Sequence, residues 1–265
     1  FNMHAGTISK NKINSITTSG NTTSGNGGGV YVSDGKFYMY DGSTISDNTA
    51  ANGGGGGNGG GVYVSRNSDF IMYGGKITGN TATNASGGGV YVKDGSFNMS
   101  GSSTISDNMA GINGGGVYVG SGGKFEMSGG TIGGSASGSG NTAKSGGGGV
   151  YVESGNVNMS GSSTAITNNK ADGSDGGGVY VGGNGTFTMS GSSSITGNKA
   201  DTGGGVFVYN DTNNTAKCTL TVSGNVQITG NMQQANADAN DNVFLSDNKF
   251  ITVSGKLTGT EPIGV

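Results

Sequence analysis

The chain has no tryptophan, one proline, one cysteine and one histidine among its 265 residues. Arginine occurs once, at Arg66, and 13 basic residues face 16 acids, for a net charge of −3. Each scarcity removes a class of protein. Cys218 alone cannot build a disulfide framework. No apolar run approaches the ~18 residues of a membrane span, so this segment is not expected to insert into a membrane. The slightly negative balance offers no basic face for nucleic acid. Leu, Ile, Val and Phe make up about 17% of the chain, under the roughly 20% at which disorder becomes the first expectation. That expectation also requires a high net charge, which is missing here. Collagen is excluded because the glycines have no period of three and proline is nearly absent.

Glycine is abundant, with 60 residues, and much of it lies in a repeat. The hexapeptide Gly-Gly-Gly-Val-Tyr-Val recurs at Val30, Val62, Val90, Val117, Val150 and Val179. It becomes Gly-Gly-Gly-Val-Phe-Val at Val206 and decays to Asn-Val-Phe-Leu at Val243. A second element, Phe-x-Met, follows most copies, as at Phe37–Met39, Phe70–Met72, Phe97–Met99, Phe125–Met127 and Phe187–Met189. The third is an isoleucine between small polar residues: Ile45, Ile77, Ile105, Ile132, Ile166, Ile195 and Ile228. Asparagine follows three residues later at Asn48, Asn80, Asn108, Asn169, Asn198 and Asn231, often with an alanine after it.

Each element alternates apolar and polar residues, which is the period of a strand, and no helical i, i+3, i+4 spacing is present. Three short strands per repeat, joined by Gly, Ser and Asn turns, describe one coil of a parallel β-solenoid. The expected fold is therefore all-β, a right-handed parallel β-helix of about eight three-strand coils, the hand following the rule for parallel crossovers. Residues 1–265 form one domain, with degenerate C-terminal coils over 209–265. Strand parity turns both valines, the Phe and Met, and the isoleucine inward. Cys218, two residues before Leu220, also has inward parity and reads as a small core residue. The repeated asparagines are expected to turn inward at a corner and bond from coil to coil. The glycine triplets mark a corner with no room for Cβ. Insertions before the triplets and at Gly133–Gly140 are expected along one edge, and Pro262 where the chain leaves the ladder.

Catalysis is not expected, nor is a cofactor or metal. Sugar-cleaving β-helices need paired carboxylates, or a calcium-binding acidic cluster with a basic residue. Here the acids are scattered, and Asp47 and Asp107 read as turn residues. The outward aromatic row is the candidate contact stripe: Tyr31, Tyr63, Tyr91, Tyr118, Tyr151, Tyr180, Phe207 and Phe244. If half of each ring is exposed, the stripe exceeds the apolar patch usual on a monomer. It could receive a glycan, a host surface protein or a second rod. Self-stacking between coils explains the same row without a ligand. A Thr/Ser array on the third strand, including Thr44, Ser46, Thr104 and Ser106, raises ice binding as a remote alternative. Lys76, Gly133, Ala165 and Gln227 interrupt it. The first repeat lacks its Val-Tyr-Val strand, which suggests end-to-end self-association.

The repeated Gly-Gly-Gly-Val and Phe-x-Met pair resembles bacterial surface proteins with right-handed β-helix repeats. The nearest pattern is that of chlamydial polymorphic outer membrane proteins, which repeat Gly-Gly-Ala-aliphatic and Phe-x-x-Asn. Here a third glycine replaces that alanine, and Phe97-Asn-Met99-Ser100 has serine in place of the motif's asparagine. The segment Asn242–Leu245 through Lys256–Gly259 and Pro262–Gly264 is similar to the ends of β-helix regions in large surface proteins of gut and oral bacteria. The resemblance implies secretion to an extracellular or cell-surface location and a structural or adhesive role. The scattered acids make that role non-enzymatic, and the open first coil adds an expectation of end-to-end assembly into filaments. Glycan binding is the alternative.

Overall fold

A computed structural model describes the chain except for residues 15, 19–20, 24, 52–56, 136–137, 211–216, 237–238, 259–262 and 264–265. Pro262 therefore lies outside the described residues. The described elements are all strands, stacked as a parallel β-solenoid. Like elements of successive repeats pair in register. Val-Tyr-Val meets Val-Tyr-Val (Val90 with Val117), Phe-x-Met meets Phe-x-Met (Phe97 with Phe125), and Ile105 meets Ile132. Eight strands in the Val-Tyr-Val sheet enclose seven complete turns.

Each full coil has four strands, where the sequence pattern predicts three. The additional one is short, as at Thr49–Ala51, Thr81–Thr83 and Thr142–Ala143, and forms an eight-stranded sheet of its own. Its inward residue is the recurrent alanine, fully buried at Ala50, Ala82, Ala110, Ala143, Ala171 and Ala200. Two or three residues with one small apolar side chain carry too little alternation to read as a strand. A hairpin pairs Ile16–Thr18 antiparallel with Asn21–Thr23, outside the four parallel sheets.

The core follows the expected parity. Val117, Val119, Phe125, Met127 and Ile132 of one coil are at most 1% exposed, and their counterparts stack above and below. Phe37, Phe70, Phe97 and Phe125 form an interior column with centroids 4.8–5.1 Å apart. Cys218 is buried, with its Sγ 3.2 Å from the Gly183 carbonyl oxygen.

The asparagine corner is a continuous polar spine inside this apolar rod. It runs Asn11, Asn48, Asn80, Asn108, Asn141, Asn169, Asn198, Asn231 and Asn242. In every step the backbone N–H and the Nδ2 of one asparagine both donate to the Oδ1 of the next, at 2.8–3.1 Å. The same Nδ2 donates to an isoleucine carbonyl of the preceding coil, as Asn108 does to Ile77 at 3.0 Å. Burial of seven of these amides to 1% exposure or less is therefore met by full hydrogen bonding.

The glycine triplet packs against this spine, and Gly114–Gly116 shows a separate need at each position. Gly114 has φ +67, which strains a side-chain-bearing residue. A Cβ on Gly115 would lie 2.5 Å from the Gly148 oxygen and 2.6 Å from the Thr142 backbone. One on Gly116 would meet Ile132 Cγ2 at 2.9 Å and Asn141 Nδ2 at 3.0 Å. The corner after the third strand requires a left-handed residue instead. It is supplied by Asp47 (φ 55), Gly79, Asp107 (φ 56), Asn168 (φ 57) and Gly197. The insertions expected along one edge fall largely outside the described residues, at 52–56 and 136–137.

Asn108→Ala removes the acceptor shared by two buried donors of Asn80 and leaves the Ile77 carbonyl and Asn141 Oδ1 short of a donor. The expected loss is at least about 3 kcal/mol in urea unfolding; a loss under about 1 kcal/mol would refute this account of the spine. Gly116→Ala should also destabilise. Gly35→Ala meets nothing closer than 3.9 Å and should raise stability by about 0.4–1 kcal/mol.

Candidate functional site

The aromatic stripe sits on the Val-Tyr-Val sheet, where in-register pairing places Tyr31, Tyr63, Tyr91, Tyr118, Tyr151, Tyr180, Phe207 and Phe244 in one row. Neighbouring centroids lie 4.6–5.3 Å apart and the planes are within 17°. The strand spacing dictates this, because parallel rings on adjacent strands meet face to face.

Stacking changes what the stripe offers. Each interior ring has both faces covered, so only edges and hydroxyls remain. Tyr63, Tyr118 and Phe207 are buried at 5–7% exposure, and Tyr91, Tyr151 and Tyr180 are partly buried. Only Tyr31 (51%) and Phe244 (42%) are strongly exposed. Half-exposed rings along the whole row are thus not found. Glycines flank the rings. A Cβ on Gly146 would come 2.8 Å from the Tyr180 ring, and one on Gly182 would come 2.9 Å from its other edge.

Burial also controls the hydroxyls. Desolvation pushes Tyr91 and Tyr151 up to about 12, with the Glu153 carboxylate adding to the shift. Tyr63, Tyr118 and Tyr180 are pushed higher, again chiefly by desolvation. These five phenols are therefore held neutral and are not a source of nucleophilic phenolate at ordinary pH.

Asp47 and Asp107 occupy left-handed corner positions with Gly79 between them in the stack. The Asp47 carboxylate fills the space over Gly79, where a Cβ would lie 2.6 Å from its Oδ1. The alternation of acid and glycine is thus steric. Among the described residues, no three of His, Cys, Asp and Glu converge to hold a metal. The Thr/Ser array faces outward from the isoleucine sheet, with Lys76, Ala165 and Gln227 in register within it. A shallow groove of about 510 Å³ crosses it, lined by Lys76, Thr104, Ser106, Asp107, Thr131 and Thr167 among others.

Sequence reasoning missed three members of the spine: Asn11, Asn141 and Asn242. The seven residues 134–140 displace Asn141 from the usual three-residue offset after isoleucine. The signal was present in Asn141-Thr142-Ala143, which matches Asn48-Thr49-Ala50 and Asn80-Thr81-Ala82. Compared with models of protein families, with curated proteins and with solved structures, the chain matches none. The resemblance to surface β-helix repeat proteins therefore extends as far as the β-solenoid of stacked coils.

The phenol row gives a pH prediction. A neutral tyrosine whose pKa is raised from 10 in the fold stabilises fully below pH 10. That contribution declines as pH rises through 10 toward 12, because only the unfolded chain has then lost its protons. Absorbance titration at alkaline pH should show at least five tyrosines silent to about pH 11, then ionising together as the strand signal is lost. Ten tyrosines titrating freely near pH 10, with the fold intact, would refute the buried row.

Proposed function

We propose that this chain is a rigid extracellular rod, a non-enzymatic structural or adhesive segment of a bacterial surface protein. The observation that best supports this reading is continuity. The asparagine spine runs without a break through seven turns, and each of the four sheets keeps the pairing from coil to coil. A fold in which every coil is fixed by both neighbours suits a spacer that holds its shape outside the cell. The outer faces are long and polar, so the same rod can present hydroxyl-rich ladders to a partner. The distribution of the acids agrees with the absence of catalysis in this reading, since Asp47 and Asp107 serve the corner.

Glycan recognition is the second reading. It rests on exposed aromatic rings beside polar grooves, and less on the stacked stripe than on rings whose faces are free.

The fluorescently labelled rod, applied to bacterial cells, epithelial cells and a glycan array, should bind at least one surface and leave the bound glycan intact. Reducing-sugar release from a polysaccharide panel, with or without calcium, would overturn the non-enzymatic assignment if it persists through purification to homogeneity. Retention on no cell or glycan would remove adhesion and leave a purely structural spacer.

A further inference from the structure

A second, shorter aromatic stack lies on the corner that follows the Phe-x-Met strands. The residue after each strand occupies the same point of its coil. It is His4, Tyr40 and Tyr73 in the first three repeats and serine in the next four, from Ser100 to Ser190. The backbone N–H at this point donates to the methionine carbonyl of the preceding coil for tyrosine and serine alike. His4 stacks on Tyr40 at 4.4 Å, and Tyr40 stacks on Tyr73 at 5.3 Å. No further ring follows, because the next coil supplies Ser100. Tyr73 thus ends a stack on the flank of the rod, where the coils on both sides are present. Its second face has no ring over it, and the residue is 48% exposed.

A polar cleft of about 410 Å³ opens at the same corner, lined by Gly75, two residues after Tyr73, and by Asp41, Thr44, Lys76 and Ser102 among others. Asp41 rests over Gly74, the residue after Tyr73, where no Cβ could be accommodated. Its Oδ1 accepts a hydrogen bond from Ser102 Oγ at 2.6 Å. Among the described residues, Lys76 has no carboxylate within ion-pair distance. Lys76 also lines the 510 Å³ groove over the isoleucine sheet, so the cleft continues along the rod past Thr104 and Thr131. From the strand of Thr44 to that of Thr167 is four steps of ~4.8 Å, or ~19 Å.

We propose that the Tyr73 corner binds a neutral, linear saccharide chain. The C–H face of a pyranose carries partial positive charge and lies on the open face of Tyr73, which is the negative side of the ring quadrupole. The sugar hydroxyls donate to Asp41 and accept from Lys76, while later units of the chain lie over the hydroxyl-lined groove. Asp41 and Lys76 offset each other, and Asp107 in the continuing groove leaves one net negative charge. A neutral ligand rich in donors and acceptors satisfies these groups, whereas a polyanionic chain is repelled by the two carboxylates. This inference goes beyond the scaffold reading, which survives its failure.

Isothermal titration with cellohexaose, β-1,4-mannohexaose and chitohexaose tests it, with a polyuronate hexamer as the charged comparison. At least one neutral hexamer should bind. Tyr73→Ser, which installs the residue that the next four coils carry at this point, should fold normally and weaken binding about tenfold or more. Tyr73→Phe keeps the ring and should stay within about threefold of the parent. Asp41→Asn and Lys76→Ala should each weaken binding about three- to tenfold. Tyr31→Ser, an exposed ring on the other stripe, should change nothing. The proposal is overturned if no neutral hexamer binds at about 1 mM. It is equally overturned if Tyr73→Ser binds like the parent, if Tyr31→Ser abolishes binding, or if the polyuronate binds more tightly than every neutral chain.

Discussion

The constraint on which the rest of the molecule depends is the contact between the asparagine spine and the glycine triplets. At that corner the chain must turn, one side of the coil must pass close to the other, and every polar group must still find a partner. Asparagine meets the last demand because its amide offers an acceptor to one neighbouring coil and donors to both. Glycine meets the other two by having no side chain. Neither works alone, since a Cβ on the third glycine would strike the Nδ2 that bonds the adjacent coils. The aligned amides also polarise one another in a dry environment, so each bond strengthens the next.

Once the corner fixes the register, much of the remaining structure is forced. Strands with the same sequence lie side by side, so any residue type that recurs becomes a column. Columns of valine, methionine and isoleucine make the core. A column of tyrosine makes a stacked band whose faces are occupied by its own members. The outward direction of a side chain in a solenoid therefore does not imply an accessible one. Tyr73 is an aromatic ring on the flank with one face unstacked, where the column changes residue type.

The fold was legible in the sequence wherever a residue type alternated or recurred at a fixed offset. Parallel sheets, inward valines and isoleucines, and the coil-to-coil role of asparagine all follow from that signal. The fourth strand was not legible, because two or three residues around an alanine carry no usable period. Asn141 was hidden by an insertion, and Asn242 by its position only 11 residues beyond Asn231. The accessibility of the tyrosine stripe was left open between exposure and self-stacking for a physical reason. Parity reports the direction of a side chain, while burial depends on the identical neighbours that the register brings against it. The Tyr73 corner could not be read from one strand, since it depends on the contrast between Tyr40 before it and Ser100 after it.

The self-complementary register has a consequence at the level of the gene. Seven nearly identical hexapeptides are the kind of sequence at which misaligned recombination occurs. An exchange between two of them removes or adds one whole coil, with its four strands, its asparagine and its triplet. The new neighbours present the same column to each other, and the ladder closes. Whole-coil steps in length are thus compatible with the ladder, while a change of a few residues has to fall between the strands. The rod is a ruler whose number of divisions inheritance can change without redrawing any one of them.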